Sequence, residues 1–265
     1  MDYLCVTNHF RVMPGQIIGS RIVYLDRVSS TNAIALRLME EHSYPEGCLF
    51  VAHTQFAGRG MGVNTWESEP GKNLTFSVVL FPDFLPVERQ FMLNKMVSLA
   101  LHDFISRLSL HSAITIKWPN DLYLDERKVA GILINNVIQG ASLIRTVAGI
   151  GLNINQEVFR SDAPNPVSLK NLTGKEFRLE RCLTDLCQDL DRRYEELRMG
   201  RFRQMDRDYL ERQYRRGGFF PFLFHGKHIR ASIESVDTYG RLVLLTAEGE
   251  RILSDQKEIT FIIEG

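Results

Sequence analysis

A chain of 265 residues with 44% hydrophobic and 24% charged residues has material for a sizeable core, divided between one large domain and a small one. Lys and Arg number 32 and Asp and Glu number 32, so no net field draws the whole chain to nucleic acid or to an anionic membrane. Apolar stretches such as LTFSVVLF have strand length and fall short of the roughly 18 residues a bilayer span needs, which predicts no membrane partner.

The N-terminus, MDYLCVTNHFRVMPG, lacks the charged-then-apolar order of a signal peptide. Cys5, Cys48, Cys182 and Cys187 are scattered without a CxxC pair, which argues against zinc ligation and a disulfide framework and predicts a cytoplasmic location. Cys182 and Cys187 fall on a helical pattern and read as small buried hydrophobes.

Residues 22–25 read as a strand. Ser29, Ser30, Thr31 and Asn32 then precede AIALRLMEEH, so this polar cluster can cap a helix. A short strand at 48–53 leads into AGRGMGVNTW. There Gly58, Gly60 and Gly62 bracket Arg59, and Trp66 follows. Glycines let backbone N–H groups approach an anion, and Arg adds a fork of donors. No GK[ST] follows and Val63 stands at the third glycine of a dinucleotide fingerprint, so neither phosphate motif is present. A flexible surface loop is the competing reading of these glycines.

Residues 74–81 read as a buried strand. Residues 89–108 carry Phe91, Met92, Met96, Leu99, Ala100 and Phe104 at helical spacing. In strand 113–118, Ile114, Ile116 and Trp118 share one face. Pro119 holds Trp118 extended and places Asn120 and Asp121 just past a strand end. Asp121 there suits Mg²⁺ coordination and Asn120 suits a phosphate or ribose, with a simple Asx turn as the alternative. Lys128 begins the next apolar run and is placed to neutralise a carboxylate attacking an α-phosphate, or else is a hairpin-tip charge.

Strands at 129–134 and 144–154 follow on short connections, which favours antiparallel neighbours. Gly149, Gly151, Asn153 and Asn155 alternate with Ile150, Leu152 and Ile154, so one strand face is small and polar. That face suits a ligand, or a wet edge strand. Leu179, Cys182, Leu183, Leu186, Leu190, Tyr194 and Leu197 form an amphipathic stripe. Residues 209–214 extend a further helix that ends near Gly217 and Gly218, with Arg212 to Arg216 as its cationic C-terminus. Short strands at 227–236, 241–246, 251–254 and 259–263 then suggest a small β-barrel. His53, His102 and His111 show no base-and-nucleophile spacing. The class is α+β, a mixed, largely antiparallel sheet with helices followed by a small β domain, with domains at 1–217 and 218–265.

These pieces resemble the biotin protein ligases, or biotin–[acetyl-CoA-carboxylase] ligases. SSTN at 29–32, the GRG loop leading to Trp66, KWPNDLY with KVAGIL at 117–133, and GIGLN at 149–153 stand in that family's order. KWPNDLY followed by K-x-x-G-I-L is the specific signature; the others are individually weak. The likeness runs from about residue 22 to the C-terminus, where SVDTYGRLVL resembles an SH3-like barrel. It implies a catalytic domain related to class II aminoacyl-tRNA synthetases. It also implies a two-step reaction, in which biotin and MgATP give biotinyl-5′-adenylate and a lysine of a biotin carboxyl carrier domain then takes the biotin.

Carried over by position, the resemblance puts Ser30, Thr31, Asn32, Gln55, Gly60, Met61 and Gly131 on the biotin side. Arg59 and Lys128 would hold the carboxylate and α-phosphate. Trp66 would lie on adenine, and Asn120, Asp121 and Asn153 would bind the nucleotide, with Asp121 as a Mg²⁺ ligand. Two departures follow. Many members read GRGR, and Met61 replaces the second Arg, which predicts weaker retention of the adenylate. About 21 residues precede the strand at 22, too few for a three-helix DNA reader, so DNA is not an expected partner. A homodimer is compatible with the family, but no interface is legible. The competing functions are a lipoate or octanoate ligase or transferase of the same fold, and a non-catalytic biotin-binding protein. The latter does not need Arg59, Asp121 and Lys128 together.

Overall fold

The computed structural model describes residues 7–9, 16–62, 64–108, 112–161, 163 and 165–262. Cys5 and His111 lie outside them, as does most of the stretch ahead of residue 22 on which the DNA expectation rests. Within that stretch Thr7–His9 forms a strand, β1, that sequence reading did not anticipate.

β1 pairs with β2 (Ile22–Val28) at one edge of an eight-stranded sheet. Helix α1 (Thr31–Glu41) crosses from β2 to β3 (Leu49–Gln55), and this βαβ step makes the sheet's one parallel strand pair among the described residues. A two-stranded hairpin, β4 (Gly58–Arg59) and β5 (Thr65–Trp66), stands apart from the sheet. The chain re-enters the sheet at β6 (Leu74–Leu80), then leaves as helix α2 (Met92–Ser106). It next forms an antiparallel meander: β7 (Ile114–Lys117), β8 (Asp121–Leu124), β9 (Arg127–Gln139) and β10 (Ser142–Leu152). The spatial order is β1-β2-β3-β6-β10-β9-β8-β7. Helices α3 (Leu169–Thr173), α4 (Leu179–Arg198) and α5 (Phe202–Glu211) follow.

The mixed, largely antiparallel sheet with helices agrees with the sequence reading. Strand alternation sends residues to opposite faces. Val51, Phe76, Val78, Ile150 and Leu152 enter the larger core with the apolar stripes of α2 and α4. Phe50, Val79 and Val147 turn the other way and meet Ile34, Ala35 and Leu38 of α1. Each fully buried aliphatic side chain contributes about 1.5–3 kcal/mol. α1 covers only part of its face, and the cleft described below opens where it stops.

Three local readings are corrected. Asp121 begins a strand, β8, because Lys117↔Asp121 closes a tight hairpin around Pro119 and Asn120; the Trp118–Pro119 peptide is cis. The last helix ends at Glu211. Beyond it Gln213 bridges Ile116, and the Tyr214 N–H donates to the Ile116 carbonyl at 2.9 Å. The Tyr214 ring is buried against Tyr123 and Phe261, so aromatic packing overrides the helical pattern and Arg212 to Arg216 is a connector. The C-terminal strands β11 (Phe220–Phe224), β12 (Lys227–Val236), β13 (Leu242–Thr246), β14 (Arg251–Ser254) and β15 (Ile259–Phe261) form a five-stranded antiparallel sheet. Its order is β14-β13-β12-β11-β15, and among the described residues its edges form no ladder, so the expected barrel is seen as an open sheet.

Candidate active site

The floor of the cleft comes from three strands whose registers line up. Ser77 of β6, Gly149 of β10 and Leu133 of β9 form one row; Thr75, Gly151 and Gly131 form the next. Side chains above each row account for the glycines. A Cβ on Gly149 would lie 2.3 Å from Asn32 Oδ1, and one on Gly151 would lie 2.2 Å from the Trp66 indole. Both are closer than real Cβ contacts, so these positions require the missing side chain. The polar face read from GIGLN is therefore a floor on which Asn32 and Trp66 rest. The cleft above it has a volume of about 230 Å³.

One end of the cleft is walled by the start of α1. Ser30 is the N-cap residue, but its side chain makes no capping bond. Gln55 supplies one in its place, accepting from the Thr31 N–H at 2.8 Å and leaving its Nε2 as a donor. Thr31, Asn32 and Ser77 are buried and linked by side-chain hydrogen bonds. The β4–β5 hairpin brings Arg59, Gly60, Met61 and Asn64 to the cleft and lays Trp66 over Gly151 and Gly131. The Arg59 side chain forms no ion pair among the described residues and is exposed. The Trp66 indole N–H is buried without a hydrogen-bond partner.

The other end is built from the β7–β8 hairpin and the start of β9. Lys128 Nζ lies 2.7 Å from Asp121 Oδ1 and 5.9 Å from the centroid of the Trp66 ring. Asn120 donates to the Ile132 carbonyl at 2.6 Å, which fixes the hairpin tip over β9. Lys117 donates to the Tyr123 hydroxyl at 3.1 Å, and burial lowers its pKa from the usual lysine value. Arg59, Lys117 and Lys128 thus share the cleft with a single carboxylate, Asp121. The excess of cations favours an anionic ligand.

Asp121 is also the one carboxylate available to a metal there, and no group of three or more His, Cys, Asp or Glu side chains forms a metal cage among the described residues. The donor set fits Mg²⁺ carried on nucleotide phosphates, which needs only one or two protein carboxylates.

Twelve of the thirteen candidate residues line this one cleft: Ser30, Thr31, Asn32, Gln55, Arg59, Gly60, Met61, Trp66, Asn120, Asp121, Lys128 and Gly131. Asn153 does not line it. Its amide donates to the Val167 carbonyl at 3.1 Å, while its Oδ1 is buried and unpartnered. It braces residues 165–167, which bond along Lys128 through Lys128 N–H to Asn165 and Val167 N–H to Lys128. Sequence reading missed Thr75 and Ser77, although two polar residues at i, i+2 in LTFSVVL were a usable signal. It also missed the wall formed by Gln256, Ile259, Thr260 and Phe261, for which no local signal exists.

Residues 24–153 match the Biotin/lipoate A/B protein ligase family. The chain is 30% identical over 234 residues to the biotin–[acetyl-CoA-carboxylase] ligase of Paracoccus denitrificans, covering 86% of this chain and 96% of that protein. It is 27% identical over 257 residues to the bifunctional ligase/repressor BirA of Bacillus subtilis, covering 92% and 72% respectively. The solved biotin protein ligase from Aquifex aeolicus in complex with biotin and ATP has the same fold. Its TM-score is 0.74 at 24% identity, over 92% of this chain and 99% of that one.

Proposed function

The chain belongs to the biotin protein ligase family, and from that premise we propose how its cleft works. It activates biotin with ATP and transfers it to a lysine of a carboxylase's biotin carboxyl carrier domain. The observation that supports these residue roles is that Arg59, Lys128 and Asp121 line one cleft with Ser30, Thr31, Asn32 and Trp66 on a glycine floor.

Biotin occupies the end walled by Ser30, Thr31, Asn32 and Gln55, with its carboxylate directed toward Arg59 and Lys128. ATP occupies the end bounded by Trp66, Asn120 and Asp121, with adenine against the indole and the α-phosphate beside Lys128. A carboxylate oxygen attacks the α-phosphorus, the bond to the bridging oxygen breaks, and pyrophosphate leaves. Two anions must meet for this to occur. The Lys128 ammonium and Arg59 guanidinium offset that repulsion, and preorganised cations do so without reorganising during the reaction. Asp121 would hold Mg²⁺ carried on the nucleotide, which would supply further neutralisation of phosphate charge. In the second step the carrier lysine, as free amine, attacks the acyl carbon, AMP departs, and the amine loses a proton to solvent.

The same reading makes residues 1–217 the catalytic domain and 218–265 an SH3-like unit, a likeness supported by the bulged strand β12. No helix among the described residues is long and apolar enough to cross a membrane. A cytoplasmic site of action agrees with three free, buried cysteines among the described residues. Pyrophosphate exchange by the purified protein, offered biotin, lipoate or octanoate in turn, tests the reading. Exchange that depends on biotin is expected; exchange only with lipoate or octanoate would overturn it.

A further inference from the structure

Ser77 pairs with Gly149 beneath the cleft, fully buried, in a strand whose other members are chiefly apolar. It does not line the cleft. Its hydroxyl lies 2.6 Å from Asn32 Oδ1 and 2.7 Å from Thr31 Oγ1. A serine hydroxyl has one proton, so it donates to only one of these. The orientation of Asn32 decides which. Asn32 Nδ2 is 2.8 Å from the Leu133 carbonyl oxygen and 2.8 Å from Asn135 Oδ1. A backbone carbonyl only accepts, so the amide nitrogen faces it and the amide oxygen faces Ser77. That oxygen also only accepts, so Ser77 donates to Asn32. The short contact between Ser77 and Thr31 then needs the proton of Thr31.

We infer that Ser77 is a positioning residue that fixes the Thr31 hydroxyl as an acceptor toward the cleft. The chain of donors runs Thr31 to Ser77 to Asn32 to the Leu133 carbonyl, and each member is held by the next. Thr31 has spent its proton on Ser77, so it presents only lone pairs to a ligand. Beside it, Gln55 turns its oxygen to the Thr31 N–H, and this orientation leaves its Nε2 N–H groups to donate. The wall therefore offers one fixed acceptor next to one fixed donor. A cyclic urea, with ring N–H beside C=O, matches that pair. A ring that places an acceptor opposite Thr31 does not. This selectivity rests on the biotin reading given above and adds to it the residue that sets hydrogen-bond polarity.

The relay is tested by pyrophosphate exchange with biotin and with its two cyclic carbamate analogues, in which one or the other ureido N–H is replaced by ring oxygen. For wild type, KM for one of the two carbamates should exceed that for biotin by roughly 10- to 100-fold, the cost of facing two acceptors. In Ser77→Ala the Thr31 hydroxyl is free to turn and donate. The carbamate should then improve and the ratio should fall to about threefold or less, with KM for ATP unchanged. A purely structural role for Ser77 would raise both KM values together and leave the ratio intact, which overturns the relay. Thr31→Val gives an independent reading should Ser77→Ala not fold. It should collapse the same ratio by weakening biotin alone, and a preserved ratio overturns the proposal. Wild type that accepts biotin and both carbamates equally also overturns it. Absence of any biotin-dependent exchange overturns the functional reading, and the relay with it.

Discussion

At the scale of single residues the cleft separates groups that bind from groups that hold binders in place. Lys128 and Asp121 face each other at 2.7 Å, each partly exposed to the cleft, so a phosphate can enter between them and water. Met61 is the residue at which this chain departs from the commoner GRGR loop, and it lies on the cleft wall at the tip of the β4–β5 hairpin. A thioether offers no charge to a phosphate, whereas a guanidinium would add charge-assisted hydrogen bonds. Met61→Arg should therefore slow release of biotinyl-adenylate, by about tenfold if one such bond of about 1.5 kcal/mol forms. Release is read by trapping the free adenylate with hydroxylamine or by dialysis of a single-turnover mixture. Equal release from wild type and variant would show that Asn64, Thr65 or backbone N–H groups already supply the retention.

At the scale of elements, β10 carries one glycine in each row of the floor, and its two glycines should fail differently. An added methyl in Gly149→Ala meets Asn32, whereas one in Gly151→Ala meets Trp66. Gly149→Ala should raise KM for biotin and Gly151→Ala KM for ATP, each by about tenfold or more, since overpacking at such contacts costs about 1–3 kcal/mol. Initial-rate exchange assays with each substrate varied would check this; the same substrate affected in both variants would refute the division of the floor. Away from the cleft, α2 and α4 are joined where Arg192 and Arg193 donate to Asp103 at 2.7 Å each. Burial acts upward on the Asp103 carboxyl, but hydrogen bonds from His102, Arg193 and Arg192 hold it well below the usual carboxylate range. A carboxyl whose pKa is depressed on folding stabilises the fold above its unfolded value, near 4, and loses that contribution as pH falls. Asp103→Asn should lower stability by about 1.5 kcal/mol at pH 7, since buried Arg193 keeps Glu196 and Asp208 but loses the carboxylate that its Nε meets, with the deficit narrowing below about pH 4. Thermal or urea unfolding at pH 7 and pH 3 would measure it, and a deficit that does not change with pH would rule out the ion pairing as its source.

At the scale of the whole molecule, legibility in the sequence followed the range of the interactions. The strands read at 22–25 and 74–81 and the helical stripe at 179–197 were readable because their patterns are local, and the elements run 22–28, 74–80 and 179–198. Asn120, Asp121, Lys128 and the GIGLN face were readable because polar residues interrupt packing within a few positions of one another. The path of 212–216 was not, since Tyr214 is buried by Tyr123 and Phe261, far apart in the chain. The C-terminal wall of the cleft was illegible for the same reason: residues 256–261 reach it only because the whole C-terminal sheet is docked elsewhere. That docking joins Phe222, Leu244 and Phe261 to the larger core and adds hydrogen bonds. The turn between β12 and β13 presents the Gly240 carbonyl to Trp118 Nε1 at 3.0 Å, and Lys95 reaches the Val236 carbonyl at 3.3 Å. Gly240 has φ of +89°, and a Cβ there would lie 2.4 Å from the ring of Phe91. Gly240→Ala thus combines about 1–2 kcal/mol of backbone cost with about 1–3 kcal/mol of overpacking. The strain falls on the contact between the C-terminal sheet and Trp118, while residues of β15 line the same cleft as Lys117 and Asp121. The variant should lose several degrees in Tm and show a raised KM for ATP with KM for biotin near wild type. A lower Tm with both KM values unchanged would mean that residues 256–261 stand at the cleft without touching the nucleotide.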